Sequence, residues 1–172
     1  MPRTSDIVLD TCVISNFAHG GALAVLEGLP YAKIHITDIV SLEITRGIQC
    51  GRALLEAVPQ AVRAGWLRQT GLKAGREKAL FEALSGSCGL GEASSLAVAK
   101  ARRFILASDD RMARTEAAGL GIRLTGTLGI LAGAVRSGVC DPGAADTYLA
   151  RMIEAGFFSP ARSVREVLGD SL

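Results

Sequence analysis

The sequence predicts an α/β fold, a three-layer sandwich in which helices flank a central parallel sheet. Short apolar runs alternate with longer segments of helical periodicity along the chain. Strands that are separated by helices pair in parallel through right-handed crossovers, which places helices on both faces of the sheet. The 172 residues are 49% hydrophobic and 21% charged, which suits a single domain with a substantial core and excludes a disordered chain.

The strands and helices follow from the spacing of apolar residues. Short apolar runs predict five strands, at residues 7–9, 33–37, 66–69, 104–107 and 122–124. The fourth run is the clearest later strand, and the third is expected to be a short edge strand. Segments with helical periodicity lie between and after these runs: 13–26, a helix beginning at Asp38, 52–64 with an interruption near Pro59, 73–84, 92–101, 112–118 and the small-residue segment 125–135.

The C-terminal region continues the same domain. The turn formed by Asp141, Pro142 and Gly143 precedes helical segments at 144–154 and 162–168. We find no internal repeat, low-complexity tract or linker that would divide the chain. We therefore expect one domain over residues 1–172, with 141–172 as its helical C-terminal extension.

The balance of charge limits how this protein can bind nucleic acid. There are 19 basic and 17 acidic residues, which gives a net charge of +2. A balance this even predicts no broad cationic surface. Any binding to nucleic acid must therefore depend on a local patch or on metal ions.

The sequence favours a cytoplasmic protein without a membrane segment. The first residues, MPRTSDIVLD, lack the long apolar segment of a signal peptide, and the late apolar run 128–135 is too short to span a bilayer. The two histidines have no metal-ligand spacing, which argues against a zinc site. Four widely separated cysteines are expected to be reduced and mostly buried: Cys12, Cys50, Cys88 and Cys140.

Three acids follow two of the predicted strands. Asp10 ends the first apolar run, and Asp109 and Asp110 follow the later run FILAS. Ligands of open parallel α/β sheets bind at the carboxyl ends of strands, so this is the expected place for a functional site. Helix capping is the alternative, because a helix follows each strand end and Asp is a favoured N-cap. Capping needs only one acceptor, however, and Ser108 offers another beside the aspartate pair.

Glu43 occupies an unusual position on the helix that begins at Asp38. At 100° per residue, it falls within about 15° of the centre of the apolar arc of that helix. An acid on a buried stripe is costly unless it is paired or bound to a metal. We therefore interpret Glu43 as a functional residue. The apolar arc consists of Ile39, Val40, Leu42 and Ile44.

Glu92 is a further candidate acid, at the start of the helix that follows Gly89, Leu90 and Gly91. An acid in the first helical turn also gains from the helix dipole, so its position alone does not establish a functional role. Its place in the order of the other acids makes it a fourth candidate position.

At these positions the chain resembles PIN-domain proteins, which are small α/β nucleases with a parallel sheet and a cluster of acids that binds divalent metal. The segment IVLDTCVISNF resembles their first signature, in which a strand ends in Asp. Glu43 in TDIVSLEITRG matches their second acid, and Glu92 in GLGEASSLAVAKA matches the third. Asp110 matches the fourth, and Asp109 is an additional acid.

The later segment DDRMARTEAAGLGIRLTGTLGILAGAVRSG also resembles a bacterial and archaeal PIN subgroup. Its aspartate pair is followed by an Ala-Arg helix, a Thr-Gly-Thr strand exit and a further helix. The resemblance covers about residues 5–160, which is nearly the whole chain.

The resemblance implies a metal centre that hydrolyses RNA. Converging carboxylates repel one another, and Mg²⁺ or Mn²⁺, which prefer oxygen ligands, would relieve that repulsion and activate water for attack on a phosphodiester. Asp10 and Asp110 would be the most direct metal ligands. Glu43 and Glu92 would bind metal or orient the water. Asp109 would hold the metal ligands in position without contacting the metal itself.

Other polar residues near these motifs are candidates for substrate binding. The hydroxyls of Thr11 and Ser108 are suited to bind carboxylate or phosphate. The cationic side chains of Arg46, Arg111 and Arg114 are either phosphate contacts or ordinary solvated helix residues. We see no aromatic cluster in the sequence that would indicate stacking on nucleobases.

We weigh three classes of function against these patterns. The first is a Mg²⁺- or Mn²⁺-dependent endoribonuclease, extending to the toxin of a toxin–antitoxin pair with RNA as substrate, a small antitoxin as partner and a homodimeric state. The second is a non-catalytic PIN-fold protein that binds nucleic acid or regulates. The third is a phosphatase of the haloacid-dehalogenase type or a receiver domain. Cys12 stands where that phosphatase needs a second Asp, and no lysine after Lys100 can serve the receiver.

Overall fold

Five parallel strands form a single sheet in the computed structural model, which describes residues 5–169. The strands are β1 (Ile7–Leu9), β2 (Ile34–Thr37), β3 (Leu67–Thr70), β4 (Ile105–Ala107) and β5 (Leu124–Thr125). Their order across the sheet is β3-β2-β1-β4-β5, and all four neighbouring pairs are parallel. The chain changes its direction of winding between β1 and β4. The crevice at the carboxyl ends of these two strands is therefore the place where open α/β sheets bind ligands.

Ten α-helices and one 3₁₀ turn (Ala53–Glu56) connect and cover the strands within residues 5–169. The helices are α1 (Thr11–His19), α2 (Leu23–Gly28), α3 (Asp38–Gln49), α4 (Ala57–Ala64), α5 (Arg76–Leu84), α6 (Leu90–Arg102), α7 (Arg111–Gly119), α8 (Thr127–Arg136), α9 (Pro142–Glu154) and α10 (Val164–Leu168).

Helices lie on both faces of the sheet because successive side chains of a strand point to opposite sides. In β1, Ile7 and Leu9 belong to a core that includes residues of α1, α2, α4, α8 and α9. Val8, between them, belongs to a second core formed with α5, α6 and α7. The α/β three-layer sandwich predicted from the sequence is thus confirmed.

The strand register places the segments that follow β1 and β4 side by side. Leu9 pairs with Ala107, and the Asp10 N–H donates to the Ala107 carbonyl at 3.0 Å. The Ser108 N–H donates in turn to the Thr125 carbonyl at 3.1 Å, which extends the same edge to β5. Two acids that are about a hundred positions apart in the chain therefore leave the sheet next to one another.

Two predicted helices have different limits in the structure. The predicted helix 13–26 is two helices, α1 and α2, because Gly21 adopts a left-handed φ of +68° between them. The predicted interruption at Pro59 is also wrong. Pro59 lies in the first turn of α4, where its missing N–H costs no helical hydrogen bond, and the break is the 3₁₀ turn that precedes the helix.

Two predictions of burial are wrong as well. Leu42 is 58% exposed, so the buried face of α3 consists of Val40 and Ile44 and does not include the whole predicted arc. Cys12 and Cys50 are exposed, in contrast to the expectation of mostly buried thiols. Within residues 5–169, no helix has the length and apolar character that crossing a membrane requires. Residues 1–4 and 170–172 of the predicted 1–172 domain lie outside the described residues.

Candidate metal centre

Asp10 is the centre of the candidate site. It follows β1 directly, is fully buried, and caps α1 by accepting the Val13 N–H on Oδ1 at 2.8 Å. Its other oxygen, Oδ2, is buried without a hydrogen-bond partner among the residues that the structure describes. Burial raises the pKa of this carboxyl to about 7, against the lowering effects of the Ser108 hydroxyl and the Val13 N–H. One oxygen of Asp10 is thus used by the fold, and the other is left for a ligand.

Glu43 reaches the site from α3 and is held by two donors. Its Oε1 accepts the backbone N–H of Gly91 at 3.0 Å, and its Oε2 accepts the Thr11 hydroxyl. A Cβ at Gly91 would lie 2.6 Å from the Thr11 Oγ1 and would overlap the Glu43 carboxylate. Glycine at position 91 therefore allows the start of α6 to approach this carboxylate closely.

Glu92 lies in the first turn of α6, which begins two residues earlier than the sequence predicts, at Leu90. Burial raises the pKa of its carboxyl, and the charges of Glu43 and Asp110 raise it further. Its own backbone N–H acts in the opposite direction. The electrostatic effects of Glu43 and Asp110 place all three acids in one neighbourhood.

Asp109 is committed to the start of α8. Its Oδ1 accepts the Thr127 N–H at 2.9 Å, and its Oδ2 accepts the Thr127 hydroxyl at 2.5 Å. The Asn16 side-chain amide also donates to Oδ2 at 3.2 Å and to the Thr127 Oγ1 at 3.1 Å. Because both oxygens are used, Asp109 ties α1, β4 and α8 together. The charge of Asp109 also contributes to the raised pKa of Asp10.

Asp110 resembles Asp10 in its local role. It caps α7 by accepting the Ala113 N–H on Oδ1 at 2.8 Å, and the cap does not use its second oxygen. Ser108 does not cap this helix, as the sequence had suggested it could. Its buried Oγ accepts the Asp110 N–H at 3.2 Å, and its hydroxyl opposes the rise in the pKa of Asp10. Ser108 thus links the two aspartates.

The thiol of Cys12 lies within the electrostatic influence of four of the acids. Although part of the residue is exposed, the protein atoms around its sulfur raise the pKa of the thiol to about 12, and the charges of four carboxylates raise it as well: Asp10, Glu92, Asp109 and Asp110. Only acids that converge on one region act together on a single thiol. Asp10, Glu43, Glu92, Asp109 and Asp110 are thus brought together by the fold.

The arginines near the motifs differ in what they contact. The guanidinium of Arg114 donates to the Ser108 carbonyl at 2.9 Å, so this arginine supports the strand ends. Arg46 and Arg111 are exposed, on α3 and at the start of α7. Neither makes a contact that would assign it to substrate, and their role in phosphate binding stays a prediction.

The side chains at the site suit a divalent cation that keeps part of its water. All candidate donors are carboxylates, the ligands that Mg²⁺ and Mn²⁺ prefer. No three His, Cys, Asp or Glu side chains within residues 5–169 lie close enough together to hold a metal ion by themselves. Mg²⁺ typically binds through one or two carboxylates together with water and phosphate oxygens, so the open Oδ2 of Asp10 and a neighbouring acid meet its requirement. The buried Oδ2 of Asp10 supports this fit directly, because a bound cation would give that oxygen the partner it lacks within the described residues.

Sequence reasoning missed several residues that shape the site. Asn16 and Thr127 complete the network around Asp109, although 111 positions separate them. The TGT motif contained Thr127, but only the folded chain shows what its hydroxyl and N–H contact. Phe157 and Phe158 lie beside Asp109 and line a cleft next to the acids, which corrects the impression that aromatic side chains are absent here.

Comparison with known proteins agrees with this geometry. A family model described as a PIN domain matches residues 6–171, which includes every acid of the site and the helices after Asp141. No curated protein and no solved structure matches the chain. The match spans almost the entire sequence, including the whole of the parallel sheet. The chain belongs to the PIN-domain family.

Proposed function

We propose that this protein is a metal-dependent endoribonuclease that hydrolyses phosphodiester bonds of RNA. The observation that carries the proposal is the buried carboxyl of Asp10, whose Oδ2 has no partner in the described residues and whose pKa is raised by burial and by the charges of Asp109 and Glu92. Membership in the PIN family, a nuclease-type fold, agrees with this chemistry. The proposed direct metal ligands are Asp10 and Asp110, with water and phosphate oxygens completing the coordination, while Glu92 and Glu43 act beside them.

The residues around the metal would have distinct roles. Asp10 and Asp110 each use one oxygen to cap a helix, so their second oxygens are presented in fixed positions. When bound, Mg²⁺ or Mn²⁺ supplies Lewis-acid stabilisation of the charge that develops on the phosphodiester. Burial raises the pKa of the Glu92 carboxyl, which makes it a better base than an ordinary glutamate for taking a proton from the attacking water.

Two further acids would position these groups. Glu43 is fixed by the Thr11 hydroxyl and the Gly91 N–H, and so it holds the start of α6, which carries Glu92, against α1. Asp109 is a positioning residue, because both of its oxygens bind the start of α8 and Asn16. The hydroxyls of Thr11 and Ser108 act on carboxylates, so we assign them to the metal centre in preference to substrate.

The test is cleavage of single-stranded RNA by purified protein with Mg²⁺ or Mn²⁺, compared with the Asp10→Asn variant. We expect the variant to lose at least about a hundredfold in rate, because a direct metal ligand is removed while the helix cap is kept. Equal cleavage by both proteins would indicate a contaminating nuclease and would contradict the proposal.

The alternative is a non-catalytic PIN-fold protein that binds nucleic acid or has a regulatory role. The intact acid cluster favours the enzyme, because a pure binding surface gains nothing from a buried carboxyl of raised pKa. Binding of Mn²⁺, measured calorimetrically, without cleavage of any RNA or DNA would favour the alternative.

A role as toxin of a toxin–antitoxin pair, a small antitoxin partner, a homodimeric state and a cytoplasmic location stay predictions from the sequence. Growth arrest upon expression, relieved by the product of a small neighbouring reading frame, would support the toxin and its partner. Light scattering of the purified protein measures the oligomeric state.

A further inference from the structure

A cleft of about 610 Å³ lies beside the acid cluster, between α1, the segment before the 3₁₀ turn and the end of α9. Asp109 and Asp110 border it on the side of the metal centre. His19, Arg52 and Phe158 also line it. The cleft is therefore continuous with the place where the scissile phosphate would lie, and its lining includes one cationic and two aromatic side chains among small residues.

The Phe158 side chain is exposed to solvent, and hydrogen bonds fix the backbone that precedes it. Its side chain is 95% exposed, which is exceptional for a phenylalanine. The Gly156 N–H donates to the Ile153 carbonyl at 2.9 Å, and Gly156 has a φ of +108°, so the chain turns sharply after α9. The Phe157 N–H then donates to the carbonyl of the buried Met152 at 2.9 Å. The exposed ring thus stands on an anchored turn.

A second cleft, of about 420 Å³, shares Phe157 and Phe158 with the first and is also lined by residues of β5, the start of α8 and Pro160. Phe157, Phe158 and Asp109 border both clefts. We call these two phenylalanines the aromatic ridge. A flat ring that stands between two clefts offers both of its faces to planar groups, as aromatic platforms for single-stranded nucleic acids do.

Arg52 and His19 both line the first cleft. Arg52 is exposed, and its charge helps to lower the pKa of the His19 ring, after the effect of burial. His19 is therefore neutral at neutral pH, and neither ring nitrogen has a hydrogen-bond partner among the described residues. The first cleft thus offers a cation that suits a phosphate, whereas the ring nitrogens of His19 are buried beneath its surface.

We propose that the two clefts bind single-stranded RNA on either side of the scissile phosphate, with a nucleobase stacked on Phe158 and a backbone phosphate bound by Arg52. The proposal rests on the proposed function for the position of the scissile phosphate. A net charge of +2 offers no broad cationic surface for a duplex, so stacking and a few phosphate contacts must supply the affinity. Splayed bases fit narrow clefts that flank a ridge, whereas paired bases do not present their faces.

The first experiment replaces Phe158 and measures binding separately from cleavage. A fluorescein-labelled oligouridine is titrated by anisotropy with protein that carries Asp10→Asn, so that the RNA is not consumed. We expect Phe158→Ala to weaken binding about tenfold or more, and Phe158→Trp to stay within about threefold, since stacking on an aromatic ring is insensitive to its identity. Val167→Ala, which removes another exposed apolar side chain outside both clefts, should leave the affinity unchanged.

The second experiment tests the phosphate contact of Arg52. Arg52→Gln should reduce the slope of log affinity against log salt concentration by about 0.7, the value for one phosphate contact on a single strand. Arg136→Gln is the matched control, because Arg136 is an exposed arginine at the far end of α8 and borders neither cleft. We expect its salt dependence to equal that of the parent protein.

The outcomes separate this proposal from the nuclease assignment. Equal affinities of Phe158→Ala and the parent protein for the oligouridine, in a protein that cleaves RNA, would overturn the binding path and leave the nuclease standing. Weaker binding by Phe158→Ala in a protein that cleaves no RNA would support the path and overturn the nuclease. Loss of affinity in Phe158→Trp equal to that in Phe158→Ala would also contradict stacking.

Discussion

The Asp10 carboxyl is poorly matched to its surroundings unless a proton or a cation is bound. Burial raises its pKa to about 7 from an ordinary value of 3.8. Between these two pH values the folded protein therefore binds a proton that the unfolded chain releases. The free energy of unfolding of the metal-free protein must then fall as the pH rises from about 4 to about 7. Near neutral pH, a divalent cation can take the place of that proton.

Asp10→Asn should stabilise the metal-free protein at about pH 8 by about 2–4 kcal/mol, because the buried negative charge is removed while Asn still caps α1. Urea unfolding in EDTA across this pH range measures the effect. Asp141→Asn is the matched control, since Asp141 caps α9 through the Ala144 N–H but is exposed. If the two variants show the same pH dependence, Asp10 does not carry the proposed charge.

Position 91 is constrained sterically, because there is no room for a side chain beside Glu43 and Thr11. Gly91→Ala should lower the free energy of unfolding by about 1–3 kcal/mol, because the new methyl group would overlap the Glu43 carboxylate and lie 2.6 Å from the Thr11 Oγ1. The expected loss is opposite to the intrinsic preference of helices for Ala. Thermal unfolding and the rate of RNA cleavage measure the two consequences.

Gly133→Ala in α8 serves as the comparison, because no atom lies within 4 Å of the Cβ that it would add. This variant should gain about 0.5–1 kcal/mol from helix propensity. A Gly91→Ala protein that is as stable and as active as Gly133→Ala would show that the close approach of α6 to Glu43 is unimportant.

At the scale of elements, the site is built from the starts of four helices. Asp10 and Asp110 cap α1 and α7, the Gly91 N–H near the start of α6 donates to Glu43, and the Thr127 N–H at the start of α8 donates to Asp109. Each helix start carries a partial positive charge and unpaired N–H groups. Four such starts offset part of the repulsion between the acids, none of which forms an ion pair with an arginine or lysine within residues 5–169.

These contacts predict opposite outcomes for two adjacent aspartates. Asp109→Asn should lower the free energy of unfolding by about 1–3 kcal/mol, because an amide has one acceptor oxygen where the Thr127 N–H, the Thr127 hydroxyl and the Asn16 amide need two. Asp110→Asn keeps the cap of α7 and should unfold within about 0.5 kcal/mol of the parent protein.

The expected effects of the Asp109 and Asp110 substitutions on RNA cleavage are the reverse of their effects on stability. Asp110→Asn is expected to lose RNA cleavage, whereas Asp109→Asn should retain measurable cleavage below its unfolding temperature. Calorimetry and cleavage assays on both variants provide the measurement. A stable, inactive Asp109→Asn protein together with an active Asp110→Asn protein would reverse the assignment of ligand and support.

For the whole molecule, the sequence predicted the architecture better than the details of packing. Apolar runs located all five strands to within a few residues, and the alternation with helices was sufficient for the three-layer sandwich. The limits of α1 and α2 were missed because Gly21 and its left-handed backbone have no apolar periodicity. The exposure of Leu42 was missed because periodicity identifies an apolar arc but not the neighbour that covers it.

The site shows the same division. Asp10, Glu43, Glu92 and the aspartate pair could be proposed as candidates because acids at strand ends and helix starts have local signatures in the sequence. The bonds of Asn16 and Thr127 with Asp109, and the position of the aromatic ridge, depend on how α8 and α9 pack on α1. Such long-range contacts have no local signature, so one sequence alone could not predict them.

The stability of the whole chain should therefore depend on metal and pH together. A cation that binds only the folded state at about a hundred times its dissociation constant adds about 2.7 kcal/mol, which corresponds to a rise in Tm of about 5–10 °C for a chain of this size. Protons compete for the same carboxyls, because the pKa of Asp10 is about 7 and that of Glu92 is also raised. The rise in Tm with Mn²⁺ should be larger at about pH 8 than at about pH 5.5.

Scanning calorimetry with Mn²⁺ or EDTA at both pH values measures this linkage. Asp10→Asn should lose most of the rise, whereas Asp141→Asn, which alters an exposed cap on α9, should keep it. A rise that is equal at both pH values, or that persists in Asp10→Asn, would show that Mn²⁺ binds elsewhere. The joint dependence on pH, metal and Asp10 is what a buried, unpartnered carboxylate oxygen requires of a site that binds a cation.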